Sequence, residues 1–386
     1  MKTVGELCFV ALTVSAAAAS ACGGPGDPAI EIARSVEQAD NSGHLNRLQF
    51  ANPSGSSATY SDNPKIMLKK NKVRGYAFFT SFGTNGRACI HCHTPGDGWG
   101  TSAAMVQYRF SHPLDTNNAD CLLDLAQCPL EPNPANYGLD PIFRTTDGAN
   151  APNLDVSTAA ARQRSYGMLL TKGLIRVGIG VPPTAEFELA AVDDPYGYAS
   201  AAQLSLFRRP LPSTNLRLSP GGKRHDPTPA VPVINAVMWD GRETLPGNDI
   251  IADLMDQANG ATLGHAQAIA GLGVADRQAI VDFETGLHTA QTTDAVAGDL
   301  SAGGGNGGPE WLAANQLVYV GINDVLTGDA ITHMPFTPDV FTIYAAWASI
   351  PWRMTCAALR KRERVLPASR GNISSHTAIT LRLATS

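Results

Sequence analysis

The stretch from Cys89 to His93 has the sequence Cys-Ile-His-Cys-His, and it constrains the fold more than any other part of the 386-residue chain. Two cysteines separated by two residues and followed at once by a histidine form the C-x-x-C-H pattern of covalent haem attachment. In such a site the two thiols add across the two vinyl groups of one porphyrin, and the adjoining histidine lies beneath the iron. The pattern therefore predicts one haem c, with Cys89 and Cys92 as its tethers and His93 as the proximal iron ligand.

The remaining histidine and cysteine residues leave a zinc site as a competing interpretation. His91 stands between the two cysteines and cannot reach the same iron, so it has no predicted role. A zinc site would need four ligands, and the further cysteines Cys121 and Cys128 are spaced more widely than ordinary zinc pairs. In an oxidising compartment those two cysteines could form a local disulfide, or they could remain two thiols that never meet.

The beginning of the chain resembles an export signal. Lys2 precedes an apolar run, LCFVALTVSAAAASA, that is too short to span a bilayer as a mature helix. Small residues then offer a cleavage site directly before Cys22, as in bacterial lipoproteins, where such a cysteine is acylated. We therefore predict a signal peptide over residues 1–22 and a periplasmic or otherwise exported protein, with a membrane tether through a lipidated Cys22 as an open alternative.

The composition is that of a globular protein with many loops, since 44% of the residues are hydrophobic, 16% are charged, and the chain contains 37 Gly and 26 Pro. The length allows one large domain or two ordinary ones. Charge is distributed unevenly, because residues 351–386 contain seven basic residues and one acidic residue, whereas the preceding chain contains 22 basic and 33 acidic residues. An acidic body argues against nucleic acid as a partner.

Apolar spacing predicts a mostly α fold, with a cytochrome c-like haem domain rich in long loops and a second helical segment that lacks a haem motif. Helical spacing occurs over residues 67–82, 158–175 (capped by Ser157 or Thr158), 250–259, 265–272, 274–291 and 338–350. Residues 187–194 alternate like a short strand. Residues 23–66, rich in Ser, Asn, Gly and Ala, are predicted to be a flexible lead-in, and residues 139–157 and 206–232 to be loops.

Five tracts, taken in order, resemble the bacterial di-haem cytochrome c peroxidases and their relatives, which include the tryptophan tryptophylquinone-maturing enzymes. The tracts are NGRACIHCH with the following GWG, DPIFRTTDGANAPN, LFRRPLPSTNL, NAVMWDGRET and DQANGATLGHAQA. Within them, MWDGRET is similar to the [FM]-W-D-G-R tract of the family's N-terminal haem domain. With the helices around them the tracts extend from Asn71 to Ala346, so residues 67–350 are predicted to form the peroxidase-like haem region.

The resemblance implies roles for several residues around the haem. It implies that this haem is the peroxidatic one and that Trp239 conducts electrons between two haems, although a buried core tryptophan is the alternative. Asp240 and Arg242 would hold haem propionates or the shape of the loop, or form a plain surface ion pair. Cleavage of a bound O–O bond needs a group that moves a proton, and Gln257 and Glu243 are the nearest such groups by position.

The sixth position on the iron decides between peroxide chemistry and electron transfer, because a displaceable ligand admits peroxide and a firm ligand excludes it. The resemblance favours His112, a short loop beyond the motif, with Met255 as the next choice. His265, Met105 and Met168 are further candidates. Each of these five residues could instead be an ordinary core or surface residue.

The chain departs from the family at its end. The family carries a second C-x-x-C-H in a C-terminal domain, whereas this chain has only Cys356 there, with no partner three residues away. Residues 351–386 are basic and lose the helical spacing. They represent either a truncated or frameshifted end, or a genuine basic tail that binds an acidic partner or the membrane surface.

Three hypotheses follow from these patterns. In the first, the chain is a peroxidase-like haem c enzyme that reduces hydrogen peroxide with electrons from a small redox protein. In the second, it is a mono-haem electron carrier without peroxidase turnover. In the third, it is a truncated, inactive family member.

Overall fold

The computed structural model describes residues 35–38, 47–66, 68, 76–112, 137–144, 154–191, 193–194, 203–218, 237–245, 249–314 and 343–349. Within these residues six α-helices accompany a five-stranded and a two-stranded antiparallel sheet. The expectation of a mostly α fold is therefore wrong, since the fold is mixed. The predicted signal peptide, residues 351–386 with Cys356, and Cys121 with Cys128 all lie outside the described residues.

The larger sheet has the strand order β1-β2-β3-β6-β7. Its strands are β1 (Ser35–Gln38), β2 (Arg47–Asn52), β3 (Gly55–Ser61), β6 (Leu287–Asp294) and β7 (Gly298–Asp299). The β2–β3 hairpin turns at Gly55, whose φ of 137° suits glycine, and a Cβ there would lie 2.1 Å from the Thr293 carbonyl oxygen. The smaller sheet pairs β4 (Ile175–Gly180) with β5 (Gln203–Arg208).

Two segments of the larger sheet were predicted to have other structures. The predicted flexible lead-in supplies β1, β2 and β3, because Leu48 and Phe50 alternate towards the core and the hydroxyl groups of the sheet bond one another, as in Thr59 with Thr289 at 2.8 Å. The helix predicted over residues 274–291 ends at Thr285, and residues 287–291 form the first part of β6. The β-branched residues Thr289, Thr292 and Thr293 favour the strand there.

The helices are α1 (Ala103–Ser111), α2 (Ala159–Ser165), α3 (Gly167–Lys172), α4 (Ile250–Gly264), α5 (Val274–Thr285) and α6 (Pro309–Ala314). Thr158 caps α2, as the sequence predicted, because its side chain accepts a hydrogen bond from the Ala161 amide. The helix predicted over residues 250–259 is confirmed in α4. In a short helix such as α2 the cap supplies a partner to an amide that the helix itself leaves unpaired.

Four further predictions about local structure are wrong in the described residues. Residues 265–272 are not helical, because Gln267 has a φ of 55° and the amides of Ala266 and Ala268 bond back to the end of α4. Of the helix predicted over residues 67–82, residues 67 and 69–75 lie outside the described part of the chain, and residues 76–82 contain only a 3₁₀ turn at Ala77–Phe79. The strand predicted over residues 187–194 is absent, and residues 206–208 of a predicted loop belong to β5.

The core consists of two clusters of buried side chains that meet at the cysteine motif. The first lies between the larger sheet, the 3₁₀ turn and α5, and it includes Phe78, Trp99 and Phe283. The second lies between α1, α2 and α3. Cys89 packs against the first cluster and Cys92 against the second, so the motif joins the two. No helix of the described part is long and apolar enough to span a bilayer.

Candidate functional site

The Cys89–His93 motif forms one tight turn. Cys89–His91 is a 3₁₀ helix, and the amides of Cys92 and His93 both donate to the Cys89 carbonyl, at 3.1 and 3.0 Å. This turn places the two thiols and the imidazole along a single short piece of chain. Neither Cys89 nor Cys92 forms a disulfide, and both are half-buried. Burial, with a smaller effect from the Glu284 carboxylate, raises the pKa of the Cys89 thiol.

The imidazole of His93 is held in one tautomer. Its Nδ1 lies 3.0 Å from the Trp99 carbonyl oxygen and 3.1 Å from Ser213 Oγ. Because a carbonyl oxygen can only accept, Nδ1 carries the hydrogen, and Nε2 then carries the lone pair that a metal needs. Burial lowers the pKa of His93, against the backbone hydrogen bonds of Trp99 and Leu211, which raise it. The imidazole is therefore neutral and oriented, as in histidine ligands of metals.

Trp99 positions the carbonyl group that His93 contacts. Its side chain is 0% exposed, and its Nε1 donates to Thr59 Oγ1 on β3 at 2.8 Å. The indole packs edge-on against the rings of Phe78 and Phe283, with centroid distances of 5.9 and 5.4 Å. The larger sheet, which the sequence did not predict, thus fixes the orientation of the histidine through this tryptophan.

A buried ion pair supports the motif from the side of α1. Arg109 donates from Nη1 to the His91 carbonyl oxygen at 2.6 Å and from Nε and Nη2 to the two oxygens of Asp140, at 2.9 and 2.5 Å. Both side chains of the pair are 0% exposed. Burial alone would raise the pKa of Asp140, but the charge and hydrogen bonds of Arg109 hold it below its usual value.

Arg87, directly before the motif, connects it to two distant tracts. Its guanidinium donates to the carbonyl oxygens of Pro141 and Arg144, at 2.8 and 2.5 Å, and to that of His265 at 3.1 Å. Asn85 donates to the same His265 carbonyl at 2.7 Å. The tracts DPIFR and GHAQA, which are far apart in sequence, therefore both contact the motif.

His91, which had no predicted role, is a buried structural residue. Its Nδ1 accepts the Ala88 amide at 2.9 Å, and no hydrogen-bond partner of its Nε2 is found in the described part of the chain. Burial lowers the pKa of His91 to about 4, while Asp140 acts in the opposite direction. The side chain is therefore neutral near pH 7.

Two residues that the sequence did not single out also lie at the site. Ser213 contacts His93, and its side chain hydrogen-bonds the Glu284 carboxyl group at the end of α5. Glu284 is 6% exposed, and burial raises its pKa to about 7. Helical spacing places residue 284 on the buried side of α5, so an acidic residue at a core position is the signal that could have identified it.

Trp239, predicted to be an electron conduit, lies away from the core. Its side chain is 62% exposed, so the alternative of a buried core tryptophan is wrong, and its Nε1 donates to the Arg209 carbonyl at 2.9 Å. Asp240 accepts from Arg242 and from Arg208, both at 3.0 Å, and these hydrogen bonds lower its pKa. The tract thus forms a surface ion-pair group, one of the two roles expected for Asp240 and Arg242.

His112, the first choice for the sixth iron position, caps α1. Its imidazole stacks on Tyr108 with a centroid distance of 4.3 Å, and its Nδ1 lies 3.0 Å from Ser111 Oγ. Met105 is buried in the first core cluster. The contacts in the described residues therefore account for both side chains without an iron.

The other predicted distal residues lie on α3, on α4 or near α4. Met255 and Gln257 are half-buried on that helix, and no contact with His93 brings either into the site within the described residues. Glu243 is also half-buried, and burial, together with the charge of Asp256, raises its pKa. Met168 is half-buried on α3.

His265 is the candidate that the structure brings towards His93. It caps α4, its carbonyl is held by Asn85 and Arg87, and its charge contributes to the lowered pKa of His93. Gly83 packs so closely on this segment that a Cβ would lie 1.6 Å from the Ala266 carbonyl oxygen. Backbone packing therefore fixes His265 beside the motif.

No cluster of three or more His, Cys, Asp or Glu side chains able to hold a metal occurs among the residues described here. Comparisons of the chain with protein-family models, with curated proteins and with solved structures give no match.

Proposed function

We propose that the chain is an exported, periplasmic c-type haem protein of the cytochrome c peroxidase type, which reduces hydrogen peroxide with electrons from a small redox protein. One observation carries the proposal: C-x-x-C-H lies in one tight turn with both thiols outside any disulfide and with His93 Nδ1 donating to the Trp99 carbonyl. This donor set suits haem c, since two thiols form thioethers and a histidine ligates through Nε2.

Each residue of the motif has a defined task in this proposal. Cys89 and Cys92 would hold the porphyrin, with each S–H adding across one vinyl group. His93 would hold the iron, and Trp99 would keep its imidazole in the ligating tautomer. When bound, the group supplies one-electron redox chemistry and a site at which peroxide binds.

The convergence of the tracts supports the resemblance to the di-haem peroxidases. Arg87 contacts the DPIFR tract and the carbonyl of His265, while Ser213 of the LPSTN tract contacts His93. These contacts join residues that are 54, 120 and 178 positions apart in the chain, so their meeting at the motif is not a consequence of the motif alone.

The proposal also assigns a residue to the sixth position on the iron. Packing favours His265 over His112, because Asn85 and Arg87 hold the His265 carbonyl beside the motif whereas His112 stacks on Tyr108. Met255 has no contact with His93 among the described residues. A half-buried carboxyl or amide, Glu243 or Gln257, would move protons to the leaving oxygen.

Trp239 is a point at which electrons could enter from a partner. Its indole donates to the Arg209 carbonyl, and the chain from Arg209 reaches the His93 imidazole through Leu211 and Ser213. The exposed ring and the neighbouring arginine side chains suit an acidic small redox protein.

A mono-haem electron carrier is the second candidate, and the same position of His265 favours it. A histidine that binds the iron firmly would exclude peroxide. The ferric spectrum separates the two functions, since a high-spin component that changes on addition of peroxide supports the enzyme, and a purely low-spin spectrum unchanged by peroxide supports the carrier.

Haem attachment is tested by expressing the full chain with a haem c maturation system and measuring pyridine haemochrome per chain. We expect one haem in the native chain and none in the Cys89→Ser/Cys92→Ser variant. Cys356→Ser is the matched control and should retain the haem. A native chain without covalent haem would refute the proposal, and two haems per chain would refute the prediction of a single haem.

A further inference from the structure

Ser213 is held directly beside the predicted iron ligand. Its amide donates to the Trp99 carbonyl at 2.9 Å, and its Oγ lies 3.1 Å from His93 Nδ1. The same carbonyl therefore receives the Ser213 amide and the His93 imidazole. The backbone amide and the hydroxyl of Ser213 therefore both contact the His93 site, and the residue is almost fully buried.

The Glu284 carboxyl group is a further hydrogen-bond partner of Ser213. It lies in the last turn of α5, it is hydrogen-bonded to the Ser213 side chain, and it is close enough to Cys89 to raise the pKa of that thiol. Among the described residues no basic side chain forms an ion pair with it. A buried carboxyl without a cationic partner is costly, which indicates a role beyond packing.

We propose that Glu284 is a positioning residue that acts on His93 through Ser213. Ser213 Oγ–H donates to the Glu284 carboxylate, and the hydrogen on His93 Nδ1 is shared between the Trp99 carbonyl oxygen and Ser213 Oγ. The negative charge then makes the imidazole a stronger electron donor at Nε2, as carboxylates do for histidine ligands elsewhere. This inference rests on the proposed function, because it requires His93 to ligate the haem iron.

A stronger donor favours ferric over ferrous iron and so lowers the reduction potential. A merely structural Glu284 would affect unfolding but not the potential of a correctly folded protein. Loss of Ser213 and loss of Glu284 interrupt the same chain of hydrogen bonds. Their effects on the potential should therefore not add.

The test measures the reduction potential of the haem-loaded full chain by spectroelectrochemical titration in native, Glu284→Gln, Ser213→Ala and double-variant proteins. Measurement at pH about 8.5, above the Glu284 pKa of about 7, keeps the carboxyl ionised. We expect each single variant to shift the ferric-to-ferrous equilibrium about tenfold towards ferrous, equivalent to about 59 mV, with the same shift in the double variant.

Asp253→Asn is the matched control, because Asp253 is another fully buried carboxyl and accepts the Leu245 amide at 2.6 Å on α4. Its potential should equal that of the native protein. If Glu284→Gln does not fold, Ser213→Ala, a smaller change, still tests the chain of hydrogen bonds.

Haem content per chain separates failure of this inference from failure of the proposed function. Covalent haem with an unchanged potential in Glu284→Gln or Ser213→Ala would overturn the role of Glu284 and leave the haem proposal intact. Equal shifts in Asp253→Asn, or shifts that add in the double variant, would overturn it as well. Absence of haem from the native chain would overturn both.

Discussion

The turn at Cys89–His93 and the tract at Trp239–Glu243 each have, within or beside them, a tryptophan and an arginine–carboxylate ion pair. These groups are buried in the first region and exposed in the second. Beside the first, the Arg109–Asp140 pair is fully buried and Trp99 is fully enclosed. In the second, an arginine and a carboxylate pair at the surface next to a tryptophan that is 62% exposed. Because burial determines the strength of such contacts, the first region holds its geometry and the second is available to a partner.

The largest effect should come from breaking the buried ion pair. Arg109→Met leaves the Asp140 carboxylate buried without its cation, and we expect it to lower the free energy of unfolding by about 3–5 kcal/mol. Arg242→Met, the surface counterpart, should cost less than about 1 kcal/mol. Denaturant unfolding followed by circular dichroism compares the two. Equal losses would show that the burial difference has no energetic consequence.

The next largest effect is expected on the pH dependence of the free energy of unfolding. His91 has a folded pKa of about 4 and an unfolded pKa near 6.5, so between these values the unfolded chain binds more protons and stability falls on acidification. The loss is at most about 3 kcal/mol. His91→Asn keeps an acceptor for the Ala88 amide and should remove this dependence.

Glu284 changes stability with pH in the opposite direction. Because its pKa is raised in the native state, the native protein binds more protons than the unfolded chain between pH about 7 and about 4.5, and stability rises as the pH falls through this range. That contribution is present in the native protein and in His91→Asn, so the difference between their unfolding free energies isolates His91. The measurement compares both proteins at pH about 4.5 and about 7. A difference that is the same at both pH values would contradict the prediction.

A smaller effect is expected at the buried tryptophan. Trp99→Phe removes the hydrogen bond to Thr59 and leaves a small cavity against Phe78 and Phe283, so unfolding free energy should fall by about 1–3 kcal/mol. The ferric haem spectrum should change too, because the Trp99 carbonyl orients His93. A stable variant with a native haem spectrum would show that the Trp99 side chain does not orient His93.

The smallest change in stability is expected at the exposed tryptophan. Trp239→Phe should alter the free energy of unfolding by less than about 0.5 kcal/mol, because the ring is mostly in solvent. Reduction of the haem by a small acidic cytochrome, followed by stopped-flow absorbance, should nevertheless slow. An unchanged rate with unchanged stability would exclude Trp239 as the entry point.

Local patterns predicted some elements and missed others for identifiable reasons. The Thr158 cap and the helix from Ile250 were predictable, because a capping hydroxyl and apolar spacing act within a few residues. The strand after Gly286 was missed because its threonine residues are stabilised by β3, more than two hundred residues away. Strand preference depends on such neighbours more than helix preference does.

The candidate site shows the same division. The spacing of Cys89, Cys92 and His93 was evident from the sequence, because covalent attachment to one porphyrin requires those residue types in that order. Ser213 was missed because it has no unusual local pattern, and Glu284 was missed although an acidic residue at a core position of the helix was a usable signal. His112 was favoured by its distance along the chain, yet it stacks on Tyr108 at the end of α1.

The sequence by itself determined the C-x-x-C-H motif, the Thr158 cap and the helix that begins at Ile250, because these depend on residues a few positions apart. Only the tertiary structure decided that the chain is mixed α and β, that Trp99 and Ser213 orient His93, and that Trp239 lies at the surface. Those features depend on burial and on partners distant in sequence, and burial sets the strength of every polar contact around the motif.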